Sequence, residues 1–356
     1  MNIKSLLLGS AAALAAVSGA HAADAIVAAE PEPMGYVRVC DAFGTGYFYI
    51  PGTETCLSIS GYVRTQVEYN DSDSAAGVNV DSSNWGTFSR GYLTFAAKND
   101  TEFGTLSGYI NIQADSEHSR LNDGSGVILD GAWIEIAGFK IGYFYNWWDD
   151  FGLAGETDQS GGNLFNSIQY TYDAGSFQIG ASVEDIQPDA REPGNALNSG
   201  HDDDVGISGL VRGTFGGVDA LLVASYDFDV EEAAFKARLT AAVGPGTFGI
   251  FGIYSTDPNA YWNTSEWTVA ASYEIKATDK LTITPAAQYF GDVRFNGAYD
   301  SGIDAWKVGL TAGYQITEGL RTLATIDYTD IDQAGTALSR NDDNKVTGFL
   351  RLQRDF

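Results

Sequence analysis

The sequence predicts an all-β fold, a transmembrane antiparallel β-barrel of sixteen strands with short periplasmic turns and long external loops. Three observations point there. Apolar and polar residues alternate with period 2 through segment after segment. The connections between segments alternate between short and long. The chain is also rich in glycine and aromatics, with 42 Gly, 19 Tyr, 19 Phe and 7 Trp, yet its mean hydropathy is only −0.12. A strand with lipid on one side and water on the other needs only every second residue apolar, so a membrane barrel hides its hydrophobic band from an averaged scale. Beyond the amino-terminal segment, no apolar run approaches the length of a membrane helix.

The amino-terminal segment sets the compartment. Met1-Asn2-Ile3-Lys4 is a short basic start, Leu6 to Val17 is apolar, and Ala20-His21-Ala22 is a small-x-small cleavage site. Residues 1–22 are expected to be a secretory signal peptide; the apolar run is short for a membrane anchor. Cleavage after Ala22 removes Lys4 and no acid, so the net charge becomes one unit more negative than the −27 of the full chain. So acidic a surface repels nucleic acid, and no nucleic-acid partner is expected.

Cys40 and Cys56 are the only cysteines. In an exported chain they are expected to pair, and closing so short a loop contributes ~3 kcal/mol on the chain-entropy model. The alternative is a metal or redox pair. Against it, no histidine lies near either cysteine in sequence, and the spacing is not C-x-x-C. Residues 23–56 then form a periplasmic-side segment, and residues 57–356 the pore domain.

The strands follow in order. From Leu57 to Tyr69 one parity is Leu57, Ile59, Gly61, Val63, Thr65, Val67, Tyr69, and the other is Ser58, Ser60, Tyr62, Arg64, Gln66, Glu68. The pattern returns in Gly91, Leu93, Phe95 against Tyr92, Thr94, Lys98, in Phe235, Ala237, Leu239 against Lys236, Arg238, Thr240, and in Trp306, Val308, Leu310 against Lys307, Thr311. Strands are expected near 57–69, 85–98, 105–113, 127–137, 139–146, 164–172, 176–184, 205–215, 218–227, 232–243, 247–256, 266–275, 281–290, 305–316, 320–330 and 345–356. Those at 218–227 and 247–256 alternate poorly. Sixteen strands leave a lumen wide enough for water. The last segment places Leu350, Leu352, Arg354 and Phe356 on one parity, and a terminal aromatic on an alternating strand looks like an outer-membrane assembly signal at Phe356.

The stretch Tyr36-Val37-Arg38-Val39-Cys40-Asp41-Ala42-Phe43-Gly44-Thr45-Gly46-Tyr47-Phe48-Tyr49-Ile50-Pro51-Gly52-Thr53-Glu54-Thr55-Cys56-Leu57, followed by Gly61-Tyr62-Val63-Arg64, resembles the alphaproteobacterial porins of the Brucella and Rhizobium type. Met1-Asn2-Ile3-Lys4-Ser5-Leu6-Leu7-Leu8-Gly9-Ser10 and the closing Phe349-Leu350-Arg351-Leu352-Gln353-Arg354-Asp355-Phe356 look like the same family. The resemblance implies a trimeric porin of the bacterial outer membrane, passing small hydrophilic solutes and ions by passive diffusion. Its partners would be membrane lipid, lipopolysaccharide and two further copies of itself. It also implies that the third external loop, residues 147–163, folds into the barrel as a constriction. The sequence lacks the Pro-Glu-Phe loop signature of enteric porins.

Selectivity in such a pore comes from its width and the charges lining it. The loop acids Asp149, Asp150, Glu156 and Asp158 are expected on one side of the constriction. Arg64, Arg90 and Arg351 are expected on the other, because closure makes the first, second and last strands neighbours. The bland alternative is that lumen walls carry scattered charges anyway. A substrate-specific channel, for sugars for example, would need an aromatic slide; Trp133, Tyr143, Tyr145, Trp147 and Trp148 could supply one, although Tyr143 and Tyr145 fall on the lipid parity. A hydrolase would need His118 or His201 in a triad, and both sit in polar loop stretches. Asp202, Asp203 and Asp204 could hold a divalent cation, with a solvated acidic loop as the plainer account. No catalytic residue, resident metal or cofactor is expected.

Overall fold

The computed structural model describes residues 38–71, 84–116, 126–186, 204–295, 297–333 and 344–356. Internal contacts divide the chain into Met1–Arg38 and Val39–Phe356, and the architecture below belongs to the second unit. The expected residues His118, His201, Asp202 and Asp203 lie outside the described residues, as does the proposed signal peptide.

Sixteen long strands form a closed antiparallel barrel. They are β1 Cys56–Asn70, β2 Trp85–Thr101, β3 Gly104–Asp115, β4 Gly126–Ile136, β5 Phe139–Tyr145, β6 Leu164–Asp173, β7 Phe177–Asp185 and β8 Val205–Phe215. There follow β9 Val218–Asp227, β10 Glu232–Val243, β11 Gly246–Ser255, β12 Ser265–Lys276, β13 Leu281–Phe295, β14 Ile303–Thr317, β15 Leu320–Gln333 and β16 Asn344–Asp355. Each pairs with its sequence neighbours, and β16 returns to β1 with Leu350 opposite Val67 and Leu352 opposite Thr65. The seam finishes with Gly61 and Phe356 exchanging backbone hydrogen bonds of 3.0 Å in both directions. Closure leaves no edge, the condition for a sheet in lipid, where an unpaired backbone amide finds no water.

Two-residue turns join several pairs. Ala137 and Gly138 both have positive φ (52° and 87°), as do Gly216 and Gly217 (58° and 85°). That is the mirror-image turn whose twist matches the flanking strands. At the same end of the barrel, Phe48–Tyr49 pairs with Cys56–Leu57, and a Cys40–Cys56 disulfide with both half-cystines buried ties the preceding segment to β1.

The period-2 pattern divides lipid from lumen as expected. On β1, Ile59, Val63 and Val67 are exposed on the outside, while Gln66 and Glu68 are buried on the inside. Exposed aromatics gather at both rims: Trp85, Tyr254, Trp267 and Trp306 at the long-loop end, and Phe103, Phe139, Phe177 and Phe215 at the turn end. Such girdles sit where hydrocarbon meets headgroup. The poor alternation of β9 and β11 has a physical cause. Their inward residues Leu221, Val223, Phe251 and Ile253 are themselves apolar and buried, so both faces of these strands are hydrophobic.

Candidate functional site: the barrel interior

The third external loop, Asn146–Asn163, folds into the barrel. It opens with one helical turn, α1 (Trp147–Asp150), whose N-cap Asn146 accepts a hydrogen bond from the Trp148 amide at 3.1 Å. Trp147 and Trp148 are 3% and 0% exposed. They join Phe165, Leu221, Val223, Phe251 and Phe290 in one apolar cluster inside the barrel. Trp148 Nε1 donates to Ser225 Oγ at 2.9 Å. Inward-facing Gly180 makes room for Trp147, because a Cβ there would strike the indole ring.

A basic pair on β10 clamps the loop. The buried Lys236 ammonium donates to the carbonyls of Trp148 (2.7 Å) and Ser160 (3.1 Å). Arg238 donates to Gly152 O at 3.1 Å and pairs with Asp219 at 2.8 Å. On the far side the Glu156 amide donates to Thr311 Oγ1 (3.0 Å), and Gln159 and Gln288 exchange bonds of 2.6 and 2.7 Å. The loop therefore spans the lumen from β5 to β13 and β14.

A second external loop, between β11 and β12, also folds inward. Ala260, Tyr261 and Trp262 are buried, Asn163 Nδ2 donates to Ala260 O at 2.7 Å, and Tyr261 donates to Glu184 at 2.5 Å. Gly206 leaves space for that hydroxyl. The alternation leaves 257–265 only as a connection between the strands expected near 247–256 and 266–275, and it does not predict this contact. The available signal was Tyr261-Trp262, two large aromatics where a solvated loop has no use for them.

The predicted site residues divide. Arg64, Arg90 and Arg351 do come together: Arg64 faces Arg90 across β1 and β2, and Arg351 pairs in register with Gln66. Their partners differ. Arg90 is held by Asp115 in a two-point ion pair of 2.7 and 2.8 Å. Arg64 donates to Gln353 (2.8 Å) and lies 4.7 Å from the Tyr62 ring centre. Arg351 donates to Gln66 (2.6 Å) and meets Glu156 of the loop at 3.4 Å.

Among the loop acids, only Glu156 reaches this wall. Asp158 turns back on the loop, accepting from the Leu153 amide at 3.3 Å. Asp149 and Asp150 are exposed at the base of the loop. Confinement inside the barrel raises the carboxyls of Asp149, Asp150 and Asp158 above the ordinary range; Lys236 pulls all three the other way, as Lys140 does Asp150.

The aromatic slide does not assemble from its five candidates. Trp147 and Trp148 are sealed in the apolar cluster, and only Trp133 takes the expected place, its indole donating to Glu135 at 2.8 Å. Tyr145, expected towards lipid, instead donates to buried Asp130 at 3.2 Å, which also accepts from lumen-side Tyr92 at 3.0 Å. A bulge in β4 opposite Asn111 and Ile112 sets Asp130 outside the regular register, and bulges re-aim side chains in this way.

A family model described as "Porin subfamily" matches residues 24–349. Outer membrane protein IIIA of Rhizobium leguminosarum bv. viciae is 46% identical over 343 residues, covering 93% of this chain and 90% of that protein. Porin Omp2a of Brucella melitensis biotype 1 is 33% identical over 397 residues, covering 100% of both chains. Among solved structures, in-vitro folded OmpT of Vibrio cholerae in its trimer form matches with a TM-score of 0.58, over 85% of this chain and 100% of that one. At 14% identity that likeness is one of fold.

Proposed function

The chain belongs to the porin subfamily, and from that premise we propose that its outer-membrane diffusion channel sorts small hydrophilic solutes at an off-centre passage. The passage runs between the third loop and the polar wall of β16, β1 and β2. The observation that carries this is the asymmetric filling of the interior. Buried apolar residues of β6 and β8–β14 pack against both inward loops, so that side is closed to water. The opposite wall presents Arg64, Gln66, Arg90, Arg351 and Gln353. Arg351 and Glu156 mark where the loop meets that wall.

Asp149, Asp150 and Glu156 supply negative charge on the loop side of the passage, and Arg64 with Arg351 supply positive charge on the wall. Asp158 and Arg90 act mainly in holding their neighbours. The excess of acids over bases in the chain, 47 against 20, favours modest cation preference by concentrating cations at the mouth. At physiological salt this field acts over only about 8 Å, so the preference weakens as salt rises. Reversal potentials under a tenfold KCl gradient test the reading. Cation preference that fades at high salt supports it, and clear anion preference overturns the ranking of acids over arginines.

The channel is further proposed to work as a trimer in lipid and lipopolysaccharide, with the β1–β16 seam at the interface. The exposed Val63 and Leu350 fit such a contact. Gly61 and Gly348 do not serve it through size alone, because a Cβ at either would strike the backbone of the adjacent strand in the same barrel. A native mass of one subunit in mild detergent would contradict the trimer. Phe356 is proposed as the assembly signal, its ring exposed at the turn end. Its replacement by Ala is expected to lower the yield of inserted protein.

A further inference from the structure

At the turn end of the lumen, the strand register places one row of side chains side by side. Lys98 pairs with Ser107, Ser107 with Glu135, Glu135 with Lys140, and Lys140 with Gln169. Neighbouring strands lie about 4.8 Å apart, so the row is a continuous polar arc across β2 to β6. One row further into the barrel, Tyr109 and Trp133 stack with ring centres 4.9 Å apart and planes at 19°. The two ammonium groups flank this stack. Lys98 Nζ lies 5.7 Å from the Tyr109 ring centre, and Lys140 Nζ lies 4.8 Å from that of Trp133. A cavity of about 510 Å³ opens onto the row, and Phe43 from the disulfide-tied segment is among the residues that line it.

The charges of this row are only partly spent. Glu135 accepts the Trp133 indole proton, and among the described residues no carboxylate lies within ion-pair distance of Lys98 or Lys140. The row carries two cations and one anion, a net single positive charge. Asp173, which also lines the cavity at its rim, accepts from the Gly175 amide and Gln178 and keeps its negative charge, so the positive excess is local to the two lysines. Lysine is a mobile point charge with three donors, suited to a carboxylate that arrives and leaves. The stacked rings give the row an apolar border beside polar side chains, against which a sugar ring can rest while its hydroxyls reach Ser107, Glu135 and Gln169.

We propose that Lys98, Glu135 and Lys140, with the Tyr109–Trp133 stack, form a transit site for small sugar acids, a carboxylate on a pyranose ring. The site lies in the periplasmic half of the pore, separate from the Glu156–Arg351 contact. It rests on the chain being a diffusion channel. It adds a preferred solute, held weakly enough to leave.

The test is single-channel recording with the full trimer in planar bilayers, adding glucuronate, glucose or acetate. Glucuronate is expected to interrupt the current in a saturable manner, while glucose and acetate at equal concentration do not. Lys98→Met and Lys140→Met should each weaken the glucuronate association constant about tenfold, the loss of one charge-assisted hydrogen bond. Lys140→Arg should retain it, and a β-type dichroism spectrum identical to the parent's confirms that each variant is folded. Glucuronate interruptions no stronger than those of glucose overturn the proposal, as do interruptions that survive both Met substitutions. Acetate acting as strongly as glucuronate removes the ring from it. Absence of any conductance from folded protein would instead defeat the channel reading.

Discussion

The two sides of the barrel interior solve opposite problems with the same strand geometry. From β8 to β13 the inward parity carries Leu210, Leu221, Val223, Phe251, Ala270 and Phe290, and two loops bring Trp147, Trp148, Tyr261 and Trp262 to cover them. From β15 through β4 it carries Asp327, Arg351, Arg64, Gln66, Arg90 and Asp130, with no loop seated over most of it. The first side is a protein core turned inwards, stabilised by removing apolar area from water. The second is a polar wall, whose partly buried charges are held by hydrogen bonds and ion pairs instead of apolar packing. The difference shows that a pore need not be the axis of its barrel: its position follows from which inner faces are apolar enough to hold a loop.

If this division holds, substitutions on the packed side change stability and those on the open side change selectivity. Trp148→Ala should have the largest effect. Removing a fully buried indole costs ~3–5 kcal/mol, and the freed loop should widen the passage. Thermal unfolding and single-channel conductance measure the two; an unchanged melting temperature would break the comparison. Lys236→Met leaves the Trp148 and Ser160 carbonyls without their donor, at a cost of ~1.5–3 kcal/mol. Noisier open-channel current is expected, as the loop loses its clamp. Gly180→Val should cost ~1–3 kcal/mol by crowding Trp147, visible as a lower denaturation midpoint.

On the open side, Arg64→Ala with Arg351→Ala should shift the reversal potential towards cations at a smaller cost in stability than Trp148→Ala, ~1–3 kcal/mol for the lost hydrogen bonds to Gln353 and Gln66. A loss as large as that of Trp148→Ala would erase the distinction.

The smallest effect is that of pH. The carboxyls of Asp149, Asp150 and Asp158 are raised by their confinement inside the barrel, which removes part of their hydration. A raised carboxyl takes up its proton in the folded state first, so the loop is held more firmly as pH falls through the folded value. The gain is complete below the unfolded value near 4. Loss of the Asp149 and Asp150 charges over the same window should weaken cation preference. Reversal potentials measured downward from neutral pH check the sign, and rising cation preference would refute it.

Strand order and the arginine wall were legible because both depend on period 2 and on closure alone. Arg64, Arg90 and Arg351 could be placed together without knowing any loop. The role of Lys236 was not legible. Lys236 has the same inward parity as the pore-wall arginines, and only the path of a loop 76 to 88 residues earlier makes it a clamp. The Arg90–Asp115 pair was obscured for a smaller reason: β3 extends two residues past the expected end at 113, which brings Asp115 into register with Arg90.

The hydrogen bonds between Gly61 and Phe356 have a consequence for the order of events in folding. Every other strand pair joins segments close in sequence, while this one waits for the end of the chain. Until it forms, β1 and β16 are bare edges, open to pairing with any other strand nearby. Contacts of such long separation form slowly. The sheet therefore closes only when β16 meets β1, and both strands stay open to wrong pairing until then.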